Sequence, residues 1–288
     1  MGSGSFSTSA YVAYSAVTGR SYDVTTGRTS GQAFKQRQFH KSLNPRYFDI
    51  RECVNSEEHP NTIPVILALD VTGSMGDACQ ETADALGVII TNLYKKFDDI
   101  EFCVMGIGDL AYDAAPIQMS QFESDIRIAE SLDKIWLEKG GGGNAFESYT
   151  AAWYMGLHRT KLDCFDKQGR KGIIITMGDE PMNPYLPVDE LNQAINGSVQ
   201  GPVETTELYA EASKKFDIFH IAVNSNRNCY RIHEGDIKAS FGQLLGDRLK
   251  ISTIQELAKT IEDCITESVQ GVGITTNPVA TENEEISW

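Results

Sequence analysis

Apolar residues in this chain alternate between two spacings. The run TIPVILALD (62–70) is continuous, of strand length, and stops on a carboxylate, which predicts a strand covered on both faces. Cys79, Thr82, Ala83, Leu86, Ile89, Ile90, Leu93 and Phe97 then recur at helical spacing and predict an amphipathic helix over 78–97. A second buried strand is expected at 100–109, ending in Gly108-Asp109, and the alternating APIQMSQF (115–122) predicts an antiparallel edge strand beside it. Ile126, Ala129, Leu132, Ile135 and Trp136 mark another helix, and a further one starts near Glu147 after the run EKGGGGN. KGIIITMGDEP (171–181) reads as a third buried strand that also ends in an acid. Helices over 188–195 and 205–215 lead to strands at 217–223 and 248–252, and Ile254, Leu257, Ala258, Ile261 and Ile265 outline the last helix.

Strands that alternate with helices predict an α/β fold: a mostly parallel sheet between two helix layers, with one antiparallel edge strand. In such sheets ligands bind beyond the C-terminal ends of the strands, where the strand order reverses. Asp70, Asp109 and Asp179 all stand at predicted strand C-termini, so three acids distant in sequence are expected on one rim. Converging carboxylates repel each other unless a cation, a proton or a basic residue offsets them. The turns that hold Asp70 and Asp179 contain no Lys or Arg, and Lys139 alone flanks the glycine run.

Asp70, Thr72 and Ser74 are spaced by two, which lets one loop turn three oxygen-bearing side chains to the same side. Oxygen ligands of this kind suit a hard cation, Mg²⁺ first and Mn²⁺ or Ca²⁺ next. A plain strand-to-helix turn with Thr72 or Ser74 as a helix cap is the blander reading. It leaves the other two acidic rims unexplained. GGGG at 140–143 lacks the lysine of a phosphate-binding loop, and the five histidines are dispersed without a Ser/His/Asp or Cys/His arrangement.

DVTGSM (70–75) resembles the first metal-site loop of von Willebrand factor type A domains, whose pattern is Asp-x-Ser-x-Ser; Thr72 keeps the hydroxyl of the first Ser. GGGGNAFES (140–148) is similar to that family's second loop and IIITMGDEP (173–181) to its third, with Asp179 as the third-loop acid. The resemblance covers roughly residues 60–270. It implies a three-layer Rossmann-like fold and a metal-ion-dependent adhesion site formed by Asp70, Thr72, Ser74, Asn144 and Asp179. The second loop departs from the pattern, offering Asn144 and Ala145 where a Thr is expected, so that Asn144, Glu147 or Ser148 is left to supply its oxygen. Asn144 reads equally as a helix N-cap, with Glu147 three residues on. Asp109 is expected in a strand-end turn.

The implied function is non-enzymatic: the cation accepts a carboxylate from a partner protein and bridges the two. An intracellular adaptor for an AAA+ ATPase, a chaperone-like machine or a stress or defence system is the partner class that the resemblance implies. The rival is a Mg²⁺-dependent phosphatase of the haloacid dehalogenase type, with Asp70 as nucleophile, GDEPMN (178–183) as its metal loop and Lys171 as its lysine. A helix directly after Ser74 leaves no room for that family's flap hairpin, and the glycine run has no place in it.

Composition fits this picture, with 41% hydrophobic and 23% charged residues, as in ordinary globular chains. The net charge of −15 is uneven: residues 1–51 carry seven basic and two acidic side chains, while the remainder carries 18 and 38. An acidic body argues against nucleic acid and anionic membrane as partners. The expected organisation is a basic N-terminal extension (1–59) folded back on the body, a type A domain (60–270) and a flexible acidic tail (271–288). No apolar run is long enough to span a membrane, and the N-terminus lacks signal-peptide and myristoylation patterns. Six scattered cysteines without a CxxC pair indicate buried free thiols and a cytoplasmic location.

Overall fold

Every residue of the strand Ile63–Asp70 (β1) is buried, as its unbroken apolar sequence predicts. It leads through a five-residue turn into the helix Gly76–Lys96 (α1) and then into the strand Ile100–Ile107 (β2), also buried throughout. Next come the strand Ile117–Met119 (β3), the helices Arg127–Lys134 (α2) and Thr150–His158 (α3), and the strand Gly172–Gly178 (β4). The helices Val188–Ile195 (α4) and Thr205–Lys215 (α5) precede the strand Phe216–Asn224 (β5). The helix Tyr230–Leu245 (α6), the strand Leu249–Thr253 (β6) and the helix Leu257–Gln270 (α7) complete the order. This computed structural model describes residues 4–18, 21–23, 28–30, 36–140 and 146–270; the expected tail at 271–288 lies outside them.

The strands form a six-stranded sheet in the order β6-β5-β4-β1-β2-β3. All pairings are parallel except β2 with β3, where Met105 faces Met119 in antiparallel register. The antiparallel edge is shorter than the expected 115–122, because the Ser120 hydroxyl accepts the Val104 N–H at 2.9 Å and ends the ladder. Pairing resumes at an isolated bridge between Phe102 and Glu123.

Side-chain alternation along each strand separates two cores. Val65, Leu67 and Leu69 of β1, Ile173, Ile175 and Met177 of β4, and Phe219, Ile221 and Val223 of β5 face α1, α2 and α7. Ile66, Ala68, Ile174, Ile218 and Ala222 point to the other face, under α3, α4, α5 and α6. Burying two faces of one sheet needs apolar residues at both parities, hence continuous runs rather than alternating ones.

Helix α6 was not signalled by the sequence. Its buried positions Tyr230, Ile237, Phe241 and Leu245 are sparse, Ile232 is exposed, and Gly235 and Gly242 interrupt the pattern. Residues 36–59 lie against the domain. The segment Arg51–Cys53 pairs in parallel with Thr160–Leu162, and the Arg51 guanidinium donates to the carbonyls of Ser42 and Met119 while stacking 3.6 Å from the Phe48 ring centroid.

Candidate metal centre

The sheet reverses its order between β4 and β1, the switch point at which open α/β sheets bind ligands. Asp70 is the last residue of β1 and Asp179 follows the last residue of β4, so neighbouring parallel strands deliver both acids to this rim. Each is 0% exposed. Asp70 Oδ1 accepts from the Thr72 N–H at 2.9 Å and the Thr72 hydroxyl at 2.6 Å, a turn in which the acid organises its own loop. The Thr72 and Ser74 hydroxyls lie 2.9 Å apart, and the Ser74 hydroxyl donates to Asp179 Oδ1 at 3.2 Å. An unbroken chain of oxygens therefore links four of the five expected site residues. The fifth, Asn144, lies outside the described residues with Ala145.

The opposite oxygens of both acids are held by groups that the motif does not contain. The Tyr149 hydroxyl donates to Asp70 Oδ2 at 2.6 Å and accepts the N–H groups of Asp179 and Glu180 at 3.2 and 3.3 Å. Asp179 Oδ2 accepts the Cys229 N–H at 2.6 Å, just before α6. Tyr149 belongs to none of the motifs above, and its role here is to tie the first loop to the third. Gly178 makes this possible: a Cβ there would come within 2.1 Å of the Tyr149 oxygen, so no larger residue leaves room for the phenol. Gly73 is constrained too. Its N–H donates to the Gly140 carbonyl at 2.6 Å, and a Cβ would meet that oxygen at 2.8 Å, so the first loop lies directly on the start of the second.

The rim is electrostatically loaded. Burial, then the neighbouring Asp179, pushes the Asp70 carboxyl up to about 7. Burial and Glu180 push Asp179 up to about 6, against the opposing pull of the Cys229 N–H. Glu147 is pushed up to about 11 by burial and then by Asp70, Glu180 and Asp109. Asp109 and Glu147 each keep one buried oxygen with no hydrogen-bond partner. Asp109 Oδ1 accepts the Ala111 N–H at 2.7 Å, as expected of a strand-end turn. The Ser148 hydroxyl is occupied by the Leu110 N–H at 3.0 Å.

The donor set is all oxygen, with excess negative charge and orphaned carboxylate oxygens, and so fits a hard divalent cation. Among the described residues no three His, Cys, Asp or Glu side chains gather as a metal-binding group. Hydroxyls, rather than a third acid, join Asp70 to Asp179.

The phosphatase arrangement does not assemble. Asn183 donates to the Thr150 hydroxyl at 2.6 Å and the Tyr185 carbonyl at 3.0 Å, and accepts the Thr150 N–H at 3.2 Å. Its amide thus anchors α3 to the third loop. Lys171 precedes β4 and lies 3.8 Å from Asp217, at the end of the sheet opposite Asp179.

No protein-family model and no curated protein matches the sequence. Solved structures do match. The pilus adhesin SpaC from Lactobacillus rhamnosus GG is 11% identical with a TM-score of 0.50, over 74% of this chain and 31% of that one. The von Willebrand factor domain of the type V pilus tip protein Mfa5 from Porphyromonas gingivalis is 12% identical with a TM-score of 0.48, over 76% and 98%. The fold is that of a von Willebrand factor type A domain. Proximal thread matrix protein 1 from the mussel byssus, in a structure with a zinc-occupied adhesion-site motif, is 12% identical with a TM-score of 0.45, over 71% and 47%. The chain spans 31% and 49% of the length of the first two solved structures it matches. Among its described residues no helix is long and apolar enough to cross a membrane.

Proposed function

We propose that the chain is a metal-dependent protein-binding module. The observation that carries this reading is the oxygen chain Asp70–Thr72–Ser74–Asp179 at the switch point of the sheet. In this reading those four residues hold Mg²⁺ or Mn²⁺, partly through water, and Asn144 adds the second-loop oxygen. Glu147 adds a buried carboxyl that burial and Asp70 hold protonated, and that would ionise when a cation offsets its acidic neighbours. The cation supplies a Lewis-acidic position for a partner's carboxylate. Tyr149 and the Cys229 N–H fix one oxygen of each acid, so that Asp70 Oδ1 and Asp179 Oδ1, beside the Thr72 and Ser74 hydroxyls, would be the pair to hold a cation. No reaction is assigned to the site: the commitments of Asn183 and Lys171 favour binding over phosphoryl transfer. Free thiols at all six cysteines support a reducing, cytoplasmic setting, and an intracellular adaptor remains the proposed role.

Titration calorimetry with Mg²⁺ and Mn²⁺ tests the metal site. Asp70→Ala and Asp179→Ala are each expected to weaken binding at least about tenfold, as removal of even an outer partner does at metal sites. Affinity is also expected to fall as pH drops through 7 towards 6, because protons compete for the raised carboxyls of Asp70 and Asp179. Absence of binding heat in the wild type rejects the metal site. Turnover of a phosphomonoester that disappears in Asp70→Asn points to the phosphatase instead.

A further inference from the structure

Beside the proposed metal centre, on the same rim, a cavity of about 390 Å³ opens between the C-terminal ends of β5 and β6. Asn224, Arg227, Arg231, Thr253 and Gln255 line it together with Glu81 of α1. Arg227 is 62% exposed at its side chain and ion-paired with Glu81. Arg231 is exposed, on the first turn of α6, with no ion pair among the described residues. The next residue, Ile232, is 77% exposed, an unusual state for a large aliphatic side chain. This turn begins immediately after Cys229, whose N–H holds Asp179. The loop of the cavity also reaches the first metal loop: the Arg227 carbonyl lies 2.7 Å from where a Cβ on Gly76 would stand, and the Asn228 amide lies 3.8 Å from Met75 Sδ.

Charge sets the occupant. Residues 52–288 carry 38 acidic and 18 basic side chains, so an acidic ligand is repelled by most of this surface. At this cavity the guanidinium of Arg231 has no ion pair among the described residues, and that of Arg227 pairs with the half-buried Glu81. We infer that the Arg227–Arg231 cavity is a second subsite for an acidic segment of the partner protein. One carboxylate of that segment seats on the metal and another enters the cavity. Guanidinium forks suit carboxylates through paired hydrogen bonds. The inference rests on the metal-dependent reading above and adds the composition of the segment that it captures.

The test uses the full chain and fluorescein-labelled decaglutamate, followed by fluorescence anisotropy in Mg²⁺ and in EDTA, with Mg²⁺ affinity measured separately by calorimetry. The wild type is expected to bind the peptide in Mg²⁺ and to lose it in EDTA. Arg231→Glu is expected to weaken peptide binding at least about tenfold while its Mg²⁺ affinity and melting temperature stay at the wild-type values, and Arg231→Lys to retain an intermediate affinity. If Arg231→Glu binds the peptide as the wild type does while EDTA abolishes binding, the subsite is wrong and the metal reading stands. If Arg231→Glu abolishes binding that EDTA leaves intact, the two-point arrangement is overturned together with the metal bridge. Failure of the wild type to bind the peptide in Mg²⁺ also overturns the inference.

Discussion

Tyr149→Phe is expected to lower the unfolding free energy of the metal-free protein by about 3–4 kcal/mol, although it removes a single oxygen atom. The ring is 0% exposed and stays in place, so cavity formation is not the cause. What disappears is the donor to Asp70 Oδ2 and the acceptor for two backbone N–H groups. A hydrogen bond to a charged group contributes about 1.5–3 kcal/mol, and a buried donor left alone costs about 1–3 kcal/mol. The N–H contacts are long and shared, which places the sum near the lower end of that range. Burial and the Asp70 charge drive the phenol well above its usual pKa, so it remains a protonated donor across the accessible pH range. Urea denaturation with EDTA present measures the change. A loss below about 1 kcal/mol with an unchanged m-value shows that the hydroxyl is not a structural tie.

Acid is expected to destabilise the native state through His220, by about 3 kcal/mol at roughly pH 4.5. This imidazole is fully buried and stacked on Phe241 at 3.7 Å with an 8° tilt. Its Nδ1 lies 2.9 Å from the Thr176 hydroxyl, and its Nε2 has no partner. Burial pushes its pKa down to about 3. Above about pH 6.5 both folded and unfolded states are neutral and the group contributes nothing to the pH dependence. Below it the unfolded chain takes up a proton that the native state refuses, so stability falls with pH down to about 3. The raised Asp70 and Asp179 act in the opposite sense, since their contribution is lost as pH rises through 6 to 7. Comparison with His220→Gln cancels those terms. The stability gap between the two proteins should narrow, or reverse, by about 3 kcal/mol from pH 7 to about 4.5. Parallel profiles rule the effect out.

Most of the fold was legible because the two-sided sheet forces unbroken apolar runs. Helices α4 and α5 match the expected 188–195 and 205–215, and β1, β4 and β5 differ from expectation by one to three residues at an end. Helix α6 was hidden because four of its 16 residues are buried and two glycines dilute its periodicity. The candidate site was partly legible: a motif exposes the residues of one loop, here Asp70, Thr72 and Ser74, and a carboxylate ending a buried strand exposes Asp179. Tyr149 and the Cys229 N–H were not, since a phenol beside a glycine loop reads as packing and a backbone donor has no side-chain signature. The close approach of Gly178 to Tyr149 likewise becomes visible when β4 and α3 are placed together.

Asp179 shares its two oxygens between the Ser74 hydroxyl and the Cys229 amide, so the carboxylate spans the metal loop on one side and the head of α6 on the other. Under the proposed metal-dependent reading, a partner segment that pulls on the head of that helix acts on the geometry offered to a cation. Reciprocity then fixes the outcome: by whatever factor the ion tightens the grip on a partner, the partner tightens the grip on the ion. Under that reading the ion is bound most tightly while the protein is engaged and most weakly when it is alone.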